Sequence, residues 1–163
     1  MDAAHFATLA RYNRWANERL YQACAAAGDG EIKRGRPSFF GSIHATLNHI
    51  LVGDRAWVGR IENADYGITA LDQILYEDFA ELRAARAAFD EHIVTLMGGL
   101  SGDLDRPLEY RSMAGDPARA PLVWALTHLF NHQTHHRGQV HAMLSQTAVP
   151  PPALDLIYFI RGQ

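Results

Sequence analysis

The sequence predicts an all-α fold, a four-helix bundle built as one domain from residues 1–163. Three observations carry this expectation. Four long stretches repeat apolar residues at the three- and four-residue intervals that line one face of a helix. A chain of 163 residues is one domain's worth, long enough to bury roughly two-thirds of its unfolded surface. Four of its nine histidines fall in His128-Leu-Phe-Asn-His132-Gln-Thr-His135-His136. Facing helices of a bundle are where metal sites form from such side chains.

The first helix is expected from about Asp2, a suitable N-cap, to Ala27, with Phe6, Leu9, Ala16 and Leu20 on its apolar face and Gly28-Asp-Gly30 ending it. The second runs from about Ser42 to Glu62, with Ile43, Leu47, Ile50, Leu51, Trp57, Val58 and Ile61 as its stripe. The third is predicted to open at Thr69, where Thr-Ala-Leu-Asp72 resembles a capping box, and to end at Gly98-Gly99. It carries Leu75, Phe79, Leu82, Ala85, Phe89, Ile93 and Leu96. The fourth starts near Pro121, suited to a first helical turn, and reaches about Ser145. The long connection between the third and fourth helices is predicted to fold as a loop or short hairpin around Pro107–Pro117. After Pro150-Pro-Pro152, the apolar residues Leu154, Ile157, Tyr158, Phe159 and Ile160 predict a short element packed back on the bundle.

A net charge of −3 argues against a nucleic-acid binder, which carries a clustered basic face. The dense basic run, Lys33, Arg34 and Arg36, reads as a solvated loop. Cys24 is the one cysteine, so no internal disulfide forms and a reducing compartment is expected. Set among alanines, it reads as a small buried thiol and not a catalytic one. No signal-peptide pattern opens the chain and no apolar run has the length of a membrane span. A cytoplasmic protein with no membrane partner is the expectation.

Histidine is the commonest metal ligand, and two histidines four apart on a helix stack and can chelate one ion. On the fourth helix the apolar stripe is centred on Leu122, Leu126, Leu129, Val140 and Leu144, with His132 and His136 at its edge. His128 and His135 point toward the rim and His141 to the other side, so periodicity selects His132 and His136. On the second helix it leaves His44 and His49 in competition. Asp54 and Arg137 break the apolar faces of their helices, and an unpaired buried charge costs several kcal/mol. They are therefore expected to pair with each other, with substrate contact as the other use of Arg137. Gln139 is placed to orient a ligand. Gly138, at about 1 kcal/mol against alanine inside a helix, predicts tight packing.

Three segments resemble the DinB/YfiT-like superfamily of damage-inducible four-helix-bundle proteins: Tyr12-Asn-Arg-Trp-Ala-Asn17, Leu47-Asn-His-Ile-Leu-Val-Gly-Asp-Arg-Ala-Trp57 and Asn131-His-Gln-Thr-His-His-Arg-Gly-Gln139. The last is the most specific, and with helix order the match covers nearly the whole chain. The resemblance implies a three-histidine metal site of His49, His132 and His136, one nickel or zinc ion, and a homodimer. His135 stands where relatives often carry tyrosine. The superfamily includes metal-dependent transferases and isomerases that use low-molecular-weight thiols.

Three imidazoles leave coordination positions open, the pattern of a catalytic site. The expected function is thus a metal-dependent enzyme acting on a small molecule, a thiol-dependent S-transferase or a related hydrolase, since such an ion can hold a thiol as the attacking thiolate or activate a bound water. The competing expectation is a non-catalytic stress-response protein whose metal stabilises the bundle or dimer. DNA repair, suggested by the family name alone, is opposed by the acidic balance. His135 and His44 are the candidate general bases. Trp15 and Trp57 are the aromatics to consider for a dimer interface.

Overall fold

In the computed structural model, which describes residues 1–162, the elements run α1 (Ala3–Ala27), α2 (Asp29–Lys33), α3 (Ile43–Glu62), α4 (Phe79–Gly98), β1 (Pro107–Arg111), β2 (Pro117–Pro121), α5 (Leu122–Leu144) and α6 (Leu156–Arg161). The four long helices make the bundle, α1 packing chiefly on α4 and α3 on α5. Side chains start three of them. The Asp2 carboxylate accepts the His5 amide at 2.9 Å, the Ser42 hydroxyl the Ala45 amide at 3.0 Å, and the Asp78 carboxylate the Glu81 amide at 2.9 Å. Each satisfies an amide that the first turn leaves orphaned, worth about 1 kcal/mol. Gly28, at φ 86°, closes α1, and Asn63, at φ 55°, closes α3.

The apolar faces of all four helices meet in one core. Phe6 and Leu20, Leu47 and Leu51, Leu82 and Ile93, Leu126 and Leu129 are fully buried, each contributing about 1.5–3 kcal/mol. Cys24 is sealed among them, and burial pushes its thiol up to about 12, so it is not a nucleophile. The basic run is neutralised locally: Lys33 pairs with Asp29 at 3.0 Å, and Arg34 and Arg36 both pair with Glu31. Lys33 belongs to α2, not to a loop.

The hairpin between α4 and α5 is antiparallel, with Leu108 opposite Ala120 and Tyr110 opposite Ala118. Leu108 anchors it to the core. α6 presses Phe159 against Tyr12 and Trp15. Among the described residues no helix is long and apolar enough to cross a membrane.

One expected boundary is wrong. The third long helix begins at Phe79, not Thr69, and residues 64–78 form an irregular strap across α3. The buried Asn48 side chain holds that strap. Its Oδ1 accepts the amides of Leu75 (2.9 Å) and Tyr76 (3.0 Å), and its Nδ2 donates to the Tyr76 carbonyl at 3.2 Å. A tertiary amide clamp thus takes the backbone groups that a helix would have used, and Leu75 still packs against the core.

Candidate metal centre

His132 and His136 stand one turn apart on α5, and His49 faces them from α3. The His49 Nε2 lies 3.1 Å from the Nε2 of His132 and 3.1 Å from that of His136. The three ring nitrogens lie within 4.8 Å of one another. Periodicity had left His44 and His49 level, and it is His49 that joins the pair. His44 is buried apart from them, with its Nε2 unpartnered.

Hydrogen bonding sets the tautomers. The Nδ1–H of His49 donates to the Leu71 carbonyl at 2.7 Å. The Nδ1–H of His136 donates to Gln139 Oε1 at 2.8 Å, while Gln139 Nε2 reaches His135. A carbonyl oxygen only accepts, so the Nε2 atoms of His49 and His136 carry bare lone pairs aimed at one another. Such an arrangement is repulsive unless a cation sits among the nitrogens. A proton is a poor candidate. Burial lowers the pKa of all three rings, and for His132 burial and the neighbouring imidazoles bring it to about 3. Neutral rings with outward lone pairs are the form a metal requires. Two ligands of a tetrahedral zinc stand about 3.3 Å apart, close to the spacing here. The donor set therefore fits a divalent ion, with the His49 and His136 rings held from behind by hydrogen bonds and the Nδ1 of His132 buried without a partner.

Local sequence makes room for this. A Cβ on Gly53 would lie 2.4 Å from the Cε1 atom of His132, so only glycine lets that ring lie flat against α3. Gly138 was expected to mark tight packing and does not: a Cβ there would meet nothing within 4 Å. Phe40 stacks on His49 with centroids 4.0 Å apart and meets His136 edge-on. The remaining side opens into a cavity of about 740 Å³, lined also by Trp57, Arg60, Met113, His128 and His135.

Behind the imidazoles lies a buried polar network that corrects a second expectation. Asp54 does not pair with Arg137. It pairs with Arg86 of α4, which also reaches Asp90 at 2.9 Å, and accepts from Gln133. Arg137 instead donates to the side-chain oxygens of Asn13, Asn17, Gln133 and Thr134. Asn13 and Asn17 in turn donate to Asp90. Two carboxylates and two guanidiniums, from α3, α4 and α5, are thus linked through the neutral amides of Asn13 and Asn17 on α1 and Gln133 on α5. Burial is the largest influence on each acid; it pushes the Asp54 carboxyl up to about 7, with Arg86 pulling the other way.

Sequence reasoning missed Arg86, Asp90, Gln133, Phe40 and Arg60. Gln133 had a signal, since it adjoins His132 and precedes Arg137 by four residues. Arg86 broke the α4 stripe and could have been found by the test applied to Asp54. Phe40 and the Leu71 carbonyl sit in irregular segments, where periodicity carries no information.

Fold and site together define a four-helix-bundle protein with a buried three-histidine group suited to a divalent ion. The DinB family model matches residues 1–163, and the chain belongs to the DinB family. It is similar to Protein DinB of Bacillus subtilis (strain 168), 24% identical over 153 residues that cover 90% of this chain and 88% of that protein.

Proposed function

We propose that the protein is a divalent-metal-dependent enzyme, loaded with zinc or nickel, that acts on a small molecule with a low-molecular-weight thiol as cosubstrate. One observation carries the reading: the ring nitrogens of three imidazoles converge within 4.8 Å on the wall of an open cavity of about 740 Å³. A closed structural zinc site takes four protein ligands, whereas three with one free side is the catalytic pattern. That favours the enzyme over a metal that only braces the bundle. His49, His132 and His136 hold the ion, and the Leu71 carbonyl and Gln139 keep the first and last of these rings in the ligating tautomer. When bound, such an ion polarises a substrate oxygen and stabilises a thiol in its thiolate form near neutral pH. Phe40 covers the His49 ring and limits water there. His135, exposed at the rim and bonded to Gln139, is the base candidate that remains, because His44 does not line the cavity. Cys24 is sealed in the core, so the thiol comes from outside.

Metal analysis of the purified protein beside His132→Ala, with a screen of thiols against electrophiles, tests this. Stoichiometric metal that is lost in the variant, with thiol turnover, is the expected result. Equal occupancy in the variant refutes ligation. Full occupancy with a large chelator-sensitive stabilisation but no turnover of any thiol supports the bracing role instead.

A further inference from the structure

Arg60 stands in the wall between the cavity beside the three imidazoles and a neighbouring one lined by Asp65 and Glu109, and neither carboxylate is within salt-bridge distance of it. The side chain is half-buried, yet among the described residues it makes no ion pair and no side-chain hydrogen bond. Other arginines of the bundle interior are tied down: Arg86 to two carboxylates, Arg137 to four side-chain oxygens, Arg55 to the Tyr76 hydroxyl at 3.0 Å. What holds Arg60 is aromatic. Its guanidinium lies 4.6 Å from the Trp57 ring centroid and 5.0 Å from that of Tyr110, which fixes its position and leaves its N–H groups unspent. Burial disfavours its charged form, with no carboxylate to compensate. Such a group gains from any anion that reaches it.

Its position relative to the imidazoles is set by one helix. Gly53, where the His132 ring rests, and Arg60 are seven residues apart on α3, on the same face and about 10 Å apart along the axis. Between them, Trp57 packs on His128 at 4.8 Å and His128 faces His132 at 5.8 Å, so the intervening wall is aromatic. Met113, at the hairpin tip, adds an apolar contact. The acid of the lining is Asp72, exposed and not within salt-bridge distance of Arg60.

We propose that Arg60 is the anion-recognition residue of this cavity, and that its ligand is a small molecule with an apolar body and a carboxylate or phosphate held about two helix turns from the group presented to the three imidazoles. The proposal rests on the cavity being the substrate site, but not on the metal. A charged hydrogen bond of this kind is worth about 10- to 100-fold in affinity.

Octanoate, octyl phosphate and octan-1-ol share a chain of suitable span and differ only at the head. Their dissociation constants are measured by calorimetry on metal-free protein, for wild type, Arg60→Met and Arg60→Gln, one variant apolar and the other polar but uncharged. Both anions are expected to bind wild type about 10- to 100-fold more tightly than the alcohol, and both variants to bind all three alike. The tighter anion identifies the headgroup. Equal affinities in wild type, or an anion preference that survives in both variants, overturn the proposal. A parallel titration with 8-mercaptooctanoate separates the two readings. Zinc is expected to tighten its binding in wild type and Arg60→Met alike but not in His132→Ala; no zinc effect anywhere would sink the metal reading and leave the Arg60 result standing.

Discussion

Gly53→Ala separates the metal-type site from the fold that carries it. The new Cβ would stand 2.4 Å from Cε1, 2.9 Å from Nδ1 and 3.2 Å from Nε2 of His132. Carbon contacts are comfortable near 3.5 Å, so the ring must retreat by about 1 Å, while ligand positions tolerate only about 0.2 Å. It retreats into the open cavity, at little cost to the bundle. Alanine is also favoured over glycine in a helix by up to about 1 kcal/mol. Metal-free Gly53→Ala should therefore melt within a few degrees of wild type, or above it. Zinc affinity should fall by about a hundredfold, the upper end for loss of ligand orientation. With free zinc at about 1,000 times the wild-type Kd, bound ion stabilises by about 4.1 kcal/mol; a hundredfold weaker site keeps about 1.4 kcal/mol. The difference, about 2.7 kcal/mol, corresponds to about 5–11 °C less zinc-induced rise in Tm for a domain of this size. Scanning calorimetry with and without zinc reads both arms. A variant that gains as much from zinc as wild type would refute the assignment of His132 and of Gly53 as the residue that makes room for it.

Three further outcomes follow from the same geometry. Arg86→Met leaves two buried carboxylates short of a cation and should cost about 3–5 kcal/mol in urea unfolding, and Asp54→Asn should restore part of that loss. The coupling of Asp54 to Arg86 in double-mutant cycles should exceed its coupling to Arg137; the reverse order would contradict the observed pairing. Asn48→Ala frees the strap and strands the Leu75 and Tyr76 amides, so a loss of about 2–4 kcal/mol is expected, with weaker zinc binding because the Leu71 carbonyl no longer holds His49. Finally, the pKa of His132 is depressed to about 3 by burial and its neighbouring imidazoles. The unfolded chain binds a proton near 6.5 that the folded, metal-free protein refuses, so stability present above that pH is lost as pH falls toward 3. The slope approaches about 1.4 kcal/mol per pH unit for this group, and His132→Ala should flatten the urea-measured profile by that amount; an unchanged slope would show the ring already protonated in the folded protein.

How much of this could be read from the residues depends on which interactions have a period. His132 and His136 were legible because a four-residue spacing on a helix is a geometric statement, and the bundle because its stripes are. The start of α4 was not, since the Asn48 clamp joins residues far apart in sequence and overrides local pattern. Nor was Arg60, whose significance lies in a missing counter-ion, visible only once neighbours are placed.

The failed Asp54–Arg137 pairing shows why charges were harder than histidines. In the run His132-Gln-Thr-His-His136-Arg137, two four-residue pairs interleave. His132 and His136 face α3 and the cavity; Gln133 and Arg137, about 100° further round, face α1 and the buried acids. α3 repeats the device, Gly53 facing His132 while Asp54 turns to Arg86 and Gln133. Each helix thus carries a metal-type face and a charged face side by side. Rotating α5 by even a fraction of a turn to bring the histidines elsewhere would pull Gln133 and Arg137 off their oxygens, stranding buried charge at several kcal/mol. The network so fixes the rotation of α5, and with it the aim of two imidazoles. Periodicity sees that Asp54 and Arg137 are both inward, but their partners, Arg86 on α4 for the one and chiefly Asn13 and Asn17 on α1 for the other, lie on helices that no single stripe relates to them.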